Sequence, residues 1–224
     1  MGKQYWRPGN MLYPVPAVMV SAAREGEKPN IITVAWAGTV CSSPAMVSIS
    51  VRESRYSYDI IKESKEFVIN LVTKDLAYAA DLCGVISGRD NDKFAKAGLT
   101  AEKMEHVSAP GIKESPVCIE CKVVDEIKLG SHSMFLANVE GVAVDESLLD
   151  EKGRLELDKA NLVAYSHGDY MMLGKKIGSF GYSVRKKPAK KNTTGKNINK
   201  NNNKNSNKNT STKKSNRTKG NRTK

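Results

Sequence analysis

The sequence predicts a mainly β protein with α decorations, an antiparallel barrel, and three observations lead there. Six runs rich in Val, Ile and Phe read as strands. The helical stretches are short and fall irregularly between those runs, whereas a doubly wound sheet would alternate strand with helix. The two longest runs flank Gly130-Ser131, a turn that folds one back onto the other.

Taken in order, residues 17–22 form the first strand. Pro14 and Pro16 break the apolar run behind Lys3 and Arg7, so a strand describes it better than a signal peptide. Strands at 31–36 and 46–51 follow, joined by a loop of small residues from Gly38 through Pro44. Residues 58–64 read as a short helix with Ser57 as its cap. After a strand at 67–72 comes a helix at 74–83, with Leu76, Ala79, Ala80 and Cys83 along its apolar side. Asp92 opens a third helix over 92–97 and Gly98 ends it. Long strands at 117–129 and 133–144 complete the set. No run reaches the roughly 18–20 apolar residues of a membrane helix, and the chain reads as cytoplasmic.

The net charge of +12 is unevenly spread. From Arg185 to Lys224 there are 15 Lys/Arg and no Asp/Glu, so residues 1–184 carry 21 basic and 24 acidic residues. The body is therefore mildly acidic, and a nucleic-acid reading can apply only to the tail. The last 40 residues also hold 11 Asn and no aromatic residue. A segment so poor in apolar surface cannot offset its ordering entropy, and 185–224 is read as a disordered basic tail behind one folded domain, 1–184. Its charges would bind polyanions in a salt-sensitive way, but it lacks aromatics to stack bases. Truncation at Arg185 would separate tail from body.

Cys41, Cys83, Cys118 and Cys121 do not form a secreted disulfide framework. Cys118-Ile-Glu-Cys121 spells CxxC on a strand, where positions i and i+3 face opposite ways, so no metal is expected. No GxGxxG and no GxxxxGK[ST] motif is present. His106, His132 and His167 lie far apart, and no GxSxG elbow points to a nucleophile.

The stretch 30–70 offers another way to hold a phosphorylated, planar cofactor. Thr33, Val34, Ala35, Trp36, Ala37 and Gly38 end a strand, where backbone amides lose their ladder partners, and Gly38 admits a flat ring close to the main chain. Arg52 and Arg55 can clamp a phosphate, with Ser54 and Ser57 donating and the following helix adding its positive end. The ordinary alternative is a strand, a loop and an exposed charged turn, and composition alone favours it.

In order along the chain stand TVAWAG, PAMVSISVRESRYSYDII, KEFVINLV, NDKFAKAGLT, LGSHSMFLANVEGVAVD and YMMLGKKIGSFGYS. Together they resemble the flavin reductase-like family, in its flavoredoxin-like branch, over most of residues 10–183. The resemblance implies an FMN-binding split β-barrel, a Greek-key antiparallel barrel that pairs into a homodimer, with FAD as an alternative flavin. It implies that residues 33–38 line the isoalloxazine through main-chain contacts. Ser50, Arg52, Ser54, Arg55 and Ser57 would surround the ribityl phosphate, and Lys93, with Phe94, would close over the flavin. His132 would stand where a nicotinamide stacks, although Ser131 replaces the family's acidic residue. Trp36 reads as core or interface packing, and Tyr165, Tyr170 and Tyr182 as packing.

The implied activity is that of a flavin-dependent oxidoreductase. Either NAD(P)H reduces FMN, which is handed on, or the protein keeps its FMN and relays electrons between proteins as a carrier. The rival readings are a polyanion-binding protein acting through its tail and a split barrel without flavin, built for haem or as a scaffold.

Overall fold

Strand follows strand from Val15, with helices only in the gaps. The computed structural model describes residues 2–185. In chain order these form β1 (Val15–Pro16), β2 (Val18–Ala22), β3 (Asn30–Val34), β4 (Ala37–Ser42), β5 (Ala45–Val51), α1 (Tyr56–Ser64) and β6 (Glu66–Leu71). Next come α2 (Ala77–Val85), α3 (Lys93–Ala97), β7 (Ala101–Glu102), β8 (Gly111–Ile112), β9 (Val117–Lys128) and β10 (Ser133–Val144). Two 3-10 turns, then β11 (Val163–Ser166) and β12 (Asp169–Met172), finish the first compact unit, which ends at Lys176. A second unit begins at Ile177; its residues up to Arg185 form turns in which Tyr182 N donates to Ser179 O and Val184 N to Gly181 O. The expected disordered tail lies, but for Arg185, outside the described residues.

Seven strands pair antiparallel in the order β3-β2-β6-β9-β10-β5-β4. The two edge strands, β3 and β4, are separated in sequence only by Ala35 and Trp36. So short a link forces the sheet to curl until its edges approach, and Ser50 N, donating to Trp36 O at 2.8 Å, carries the β4–β5 ladder one pair into that link. The result is a half-barrel, as the strand pattern predicts.

Side-chain alternation decides what each face meets. Val18, Val20, Ile32, Val34, Phe67 and Ile69 point inward with Ile49 and Phe135, forming the barrel core. Met19 and Ile31 point outward, where Leu76 at the head of α2, Ala79, Ala80 and Cys83 within it, and Phe94 of α3 cover them. The apolar side expected for the second helix is thus the face that packs. Asn70, fully buried, ties the layers: its Nδ2 donates to Met19 O (3.0 Å) and Ser21 Oγ (2.9 Å), and its Oδ1 accepts from Ile112 N at 2.8 Å.

Several expectations are corrected locally. The stretch 38–44 is no open loop but β4 and a tight turn, because its backbone finds a ladder partner in β5. Ser57 does not cap α1. Arg55 takes the cap position and Ser57 sits buried in the first turn, accepting from Asn30 Nδ2 at 2.7 Å. The second helix starts at Ala77, after a turn over 73–77. The third helix begins as expected: Asp92 accepts from Ala95 N at 3.1 Å, and Gly98 ends it at φ 66°. No helix among the described residues is long and apolar enough to cross a membrane.

Candidate functional site

The barrel closure leaves a cleft of about 460 Å³. One wall is the end of β3 and the link to β4, from Ile32 to Trp36; the other is the end of β5 and the turn into α1. Register completes the lining. Ser133, the first residue of β10, pairs with Val51, the last of β5, so the turn before β10 brings His132 beside Arg52.

Of the residues expected from sequence, Thr33, Val34, Ala35, Trp36, Ser50, Arg52, Ser54, Arg55 and His132 share this lining. Four do not. Ala37 and Gly38 lie along β4, opposite Ile49 and Ser48, and a Cβ at Gly38 would meet open space, so the chain's own packing does not require glycine there. Ser57 is buried against Asn30. Lys93 is 4% exposed and donates to Ile31 O and Cys83 O, each at 2.7 Å, so its ammonium is held inside the protein. Trp36 is half-buried on the cleft, 6.2 Å from the Tyr13 ring.

The site is cationic without an internal counter-charge. Neither Arg52 nor Arg55 forms an ion pair among the described residues. Glu53, between them, is turned aside: it accepts from Ser133 Oγ at 2.9 Å and lies 3.8 Å from Lys128. Arg55 donates to Gly84 O near the carboxyl end of α2, where helix carbonyls lack internal partners. Its extended backbone leads into α1 with no side chain covering the first-turn amides. His132 is held below the ordinary histidine pKa by burial, then by the Arg52 guanidinium. Its Nδ1 is 2.9 Å from Ser131 Oγ.

Sequence reasoning overlooked what supports the wall. Gly84 lets α2 approach β3: a Cβ there would stand 3.3 Å from the Thr33 Cβ. Thr33 in turn donates its hydroxyl to Ala80 O. A second cleft, about 290 Å³, shares Thr33, Ala35 and Trp36 with the first and adds Asp81, Tyr165 and Tyr170. Burial, then the neighbouring Asp81 carboxylate, pushes the Tyr170 hydroxyl up to about 12. Only long-range folding brings these tyrosines here; in sequence they look like ordinary packing residues.

The arrangement suits an anion with a flat body. Two guanidinium groups without ion pairs and the Ser50 and Ser54 hydroxyls gather hydrogen-bond donors suited to an anion at one end. Val34, Ala35 and Trp36 offer a flatter, less polar wall, and the volume lies within the range of small-molecule sites. No group of three metal-ligating side chains occurs among the described residues. Cys118 packs on one face of β9 and Cys121 on the other, as the CxxC spacing on a strand requires.

Comparison with known proteins points the same way. The flavin reductase like domain matches residues 10–174. An uncharacterized protein of Archaeoglobus fulgidus is 32% identical over 141 residues, 63% of this chain and 78% of its own length. The flavoredoxin of Desulfovibrio vulgaris (Miyazaki F) superposes with a TM-score of 0.77 at 32% identity, covering 82% of this chain and 100% of that one. An FMN-binding protein from Thermus thermophilus, solved with bound 1-cyclohex-2-enone, superposes with a TM-score of 0.66 at 22% identity over 80% of this chain and 98% of that one. At that identity the likeness is one of fold.

Proposed function

We propose, from the premise that this chain belongs to the flavin reductase-like domain family, that it binds FMN in the Arg52–Arg55 cleft and works as a flavin-dependent oxidoreductase. The observation that carries this reading is the meeting of two unpaired arginines with the Thr33–Trp36 wall in one cleft of suitable volume. When bound, FMN supplies two-electron redox chemistry that no side chain here can provide.

The chain's own residues bind and orient. Arg52 and Arg55 would hold the phosphate, assisted by the Ser50 and Ser54 hydroxyls and the open amides of α1. The strand end from Thr33 to Trp36 would offer main-chain groups to the ring system. His132, whose pKa is lowered by burial and then by Arg52, would present a hydrogen-bonding nitrogen at the rim.

Of the two jobs open to such a protein, we favour a flavoredoxin-like carrier that retains its FMN. The 32% identity to a flavoredoxin over that protein's full length supports this. The second reading, reduction by NAD(P)H followed by release of reduced flavin, rests on His132 at the cleft rim. Anaerobic addition of NADH or NADPH to the FMN-loaded protein separates them. Bleaching of the flavin absorbance only by a reduced protein donor is expected; rapid bleaching by a pyridine nucleotide overturns the carrier role.

We further propose a homodimer. Tyr5, Trp6 and Leu12 stand 98%, 78% and 86% exposed, and so much apolar surface on one extended arm suits burial against a second copy. The four free cysteines suit a reducing compartment such as the cytoplasm.

A further inference from the structure

Lys93 is the most deeply buried cation among the described residues, at 4% exposure. Its ammonium has two partners, both carbonyls: Ile31 O on β3 and Cys83 O in the last turn of α2. No carboxylate pairs with it among the described residues. An unpaired ammonium inside a protein is unfavourable unless something offsets its lost hydration. Here the negative end of α2 does so in part, since its last-turn carbonyls have no intrahelical donors.

The two carbonyls that Lys93 joins belong to the two elements behind the cleft. Ile31 lies beside Ile32 and Thr33, which line it; Cys83 precedes Gly84, whose carbonyl receives Arg55. Thr33 is tied to the same helix through Ala80 O. Three donors, from α3, the head of α1 and β3, therefore converge on the last turns of α2. Two are cations, and Lys93 is the one that does not reach the cleft.

We infer that Lys93 is a positioning residue for the cofactor: it fixes the end of α2 against β3 and lends the back wall of the cleft a buried positive charge that favours an anionic ligand. The inference rests on the flavin reading above. The titratable groups facing the ammonium are the Cys83 thiol from α2 and the Arg55 guanidinium from the head of α1; β3 contributes none. On its own element, Asp92 is turned to Lys28 at 3.2 Å and Lys96 to Asn91. Burial, with Arg55 acting the same way, lowers the Lys93 pKa to about 8, while the Cys83 thiol opposes the change. The charge is thus present at neutral pH and lost a little above it.

FMN binding to the full chain, followed by quenching of flavin fluorescence at pH 7 and pH 9, tests this. Wild-type affinity is expected to fall roughly tenfold between the two, the effect of one charge acting over about 10 Å at an effective dielectric near 20. Lys93→Met should bind roughly tenfold more weakly at pH 7 and show no such fall. Lys93→Arg, whose charge does not titrate in this range, should bind alike at both. Should Lys93→Met fail to fold, as circular dichroism would reveal, wild type against Lys93→Arg still decides. A folded Lys93→Met with the wild-type affinity and profile, or a Lys93→Arg profile that falls as the wild type does, overturns the inference alone. A wild type that binds no FMN at either pH overturns it together with the flavin reading.

Discussion

Arg52 and Arg55 stand in a body whose net charge is slightly negative, so their attraction for a phosphate must be local. It is local because Glu53, the acid between them, is drawn away to Ser133 and Lys128. Charge-assisted hydrogen bonds contribute about 1.5–3 kcal/mol each. Replacing either arginine with Ala should therefore weaken FMN binding roughly ten- to hundredfold, measured by fluorescence titration; an unchanged affinity in both variants would remove the phosphate from this corner. These arginines were legible in the sequence because they share one turn with Ser54, and neighbours in sequence stay neighbours in space. That Lys93 and Ser57 lie off the cleft lining was not legible, for the opposite reason. Whether a polar side chain reaches a cleft or a buried carbonyl depends on helices and strands far away in the chain, and no local pattern records it.

Among the elements, the strands were legible wherever alternation served two buried faces, as in β2 and β6. Strand β4 was not, since Gly38-Thr39-Val40-Cys41-Ser42 has turn-like composition and becomes a strand only through its partner β5. Asn70 joins elements that no periodicity connects. Asn70→Ala would leave Ile112 N and Met19 O without their side-chain partner in a fully buried place, and should cost about 3 kcal/mol in unfolding free energy by urea denaturation. The junction of α3, β3 and α2 carries a pH signature. An unfolded lysine keeps its proton to near 10.5, whereas folded Lys93 loses it near 8. Between those values the unfolded state binds more protons, so stability rises with pH. Relative to Lys93→Met, wild type should gain about 3 kcal/mol between pH 7 and pH 10.5; parallel denaturation curves at the two pH values would contradict this.

For the whole molecule, the antiparallel barrel was predictable from strand content and irregular helices. Its closure was not, because closure depends on which strands end at the sheet edges. The two-residue link between β3 and β4 decides it, and the cleft proposed for FMN lies at that link. An arm with Tyr5, Trp6 and Leu12 in the open adds an expectation about assembly: light scattering should give twice the chain mass, and a monomer at micromolar concentration would contradict the dimer. Titrating the purified protein with FMN, in the dark and free of other flavins, should give a yellow complex with one flavin per chain and quenched emission. The competing result, a protein that stays colourless and leaves FMN fluorescence unchanged at saturating concentration, would contradict the account at its root.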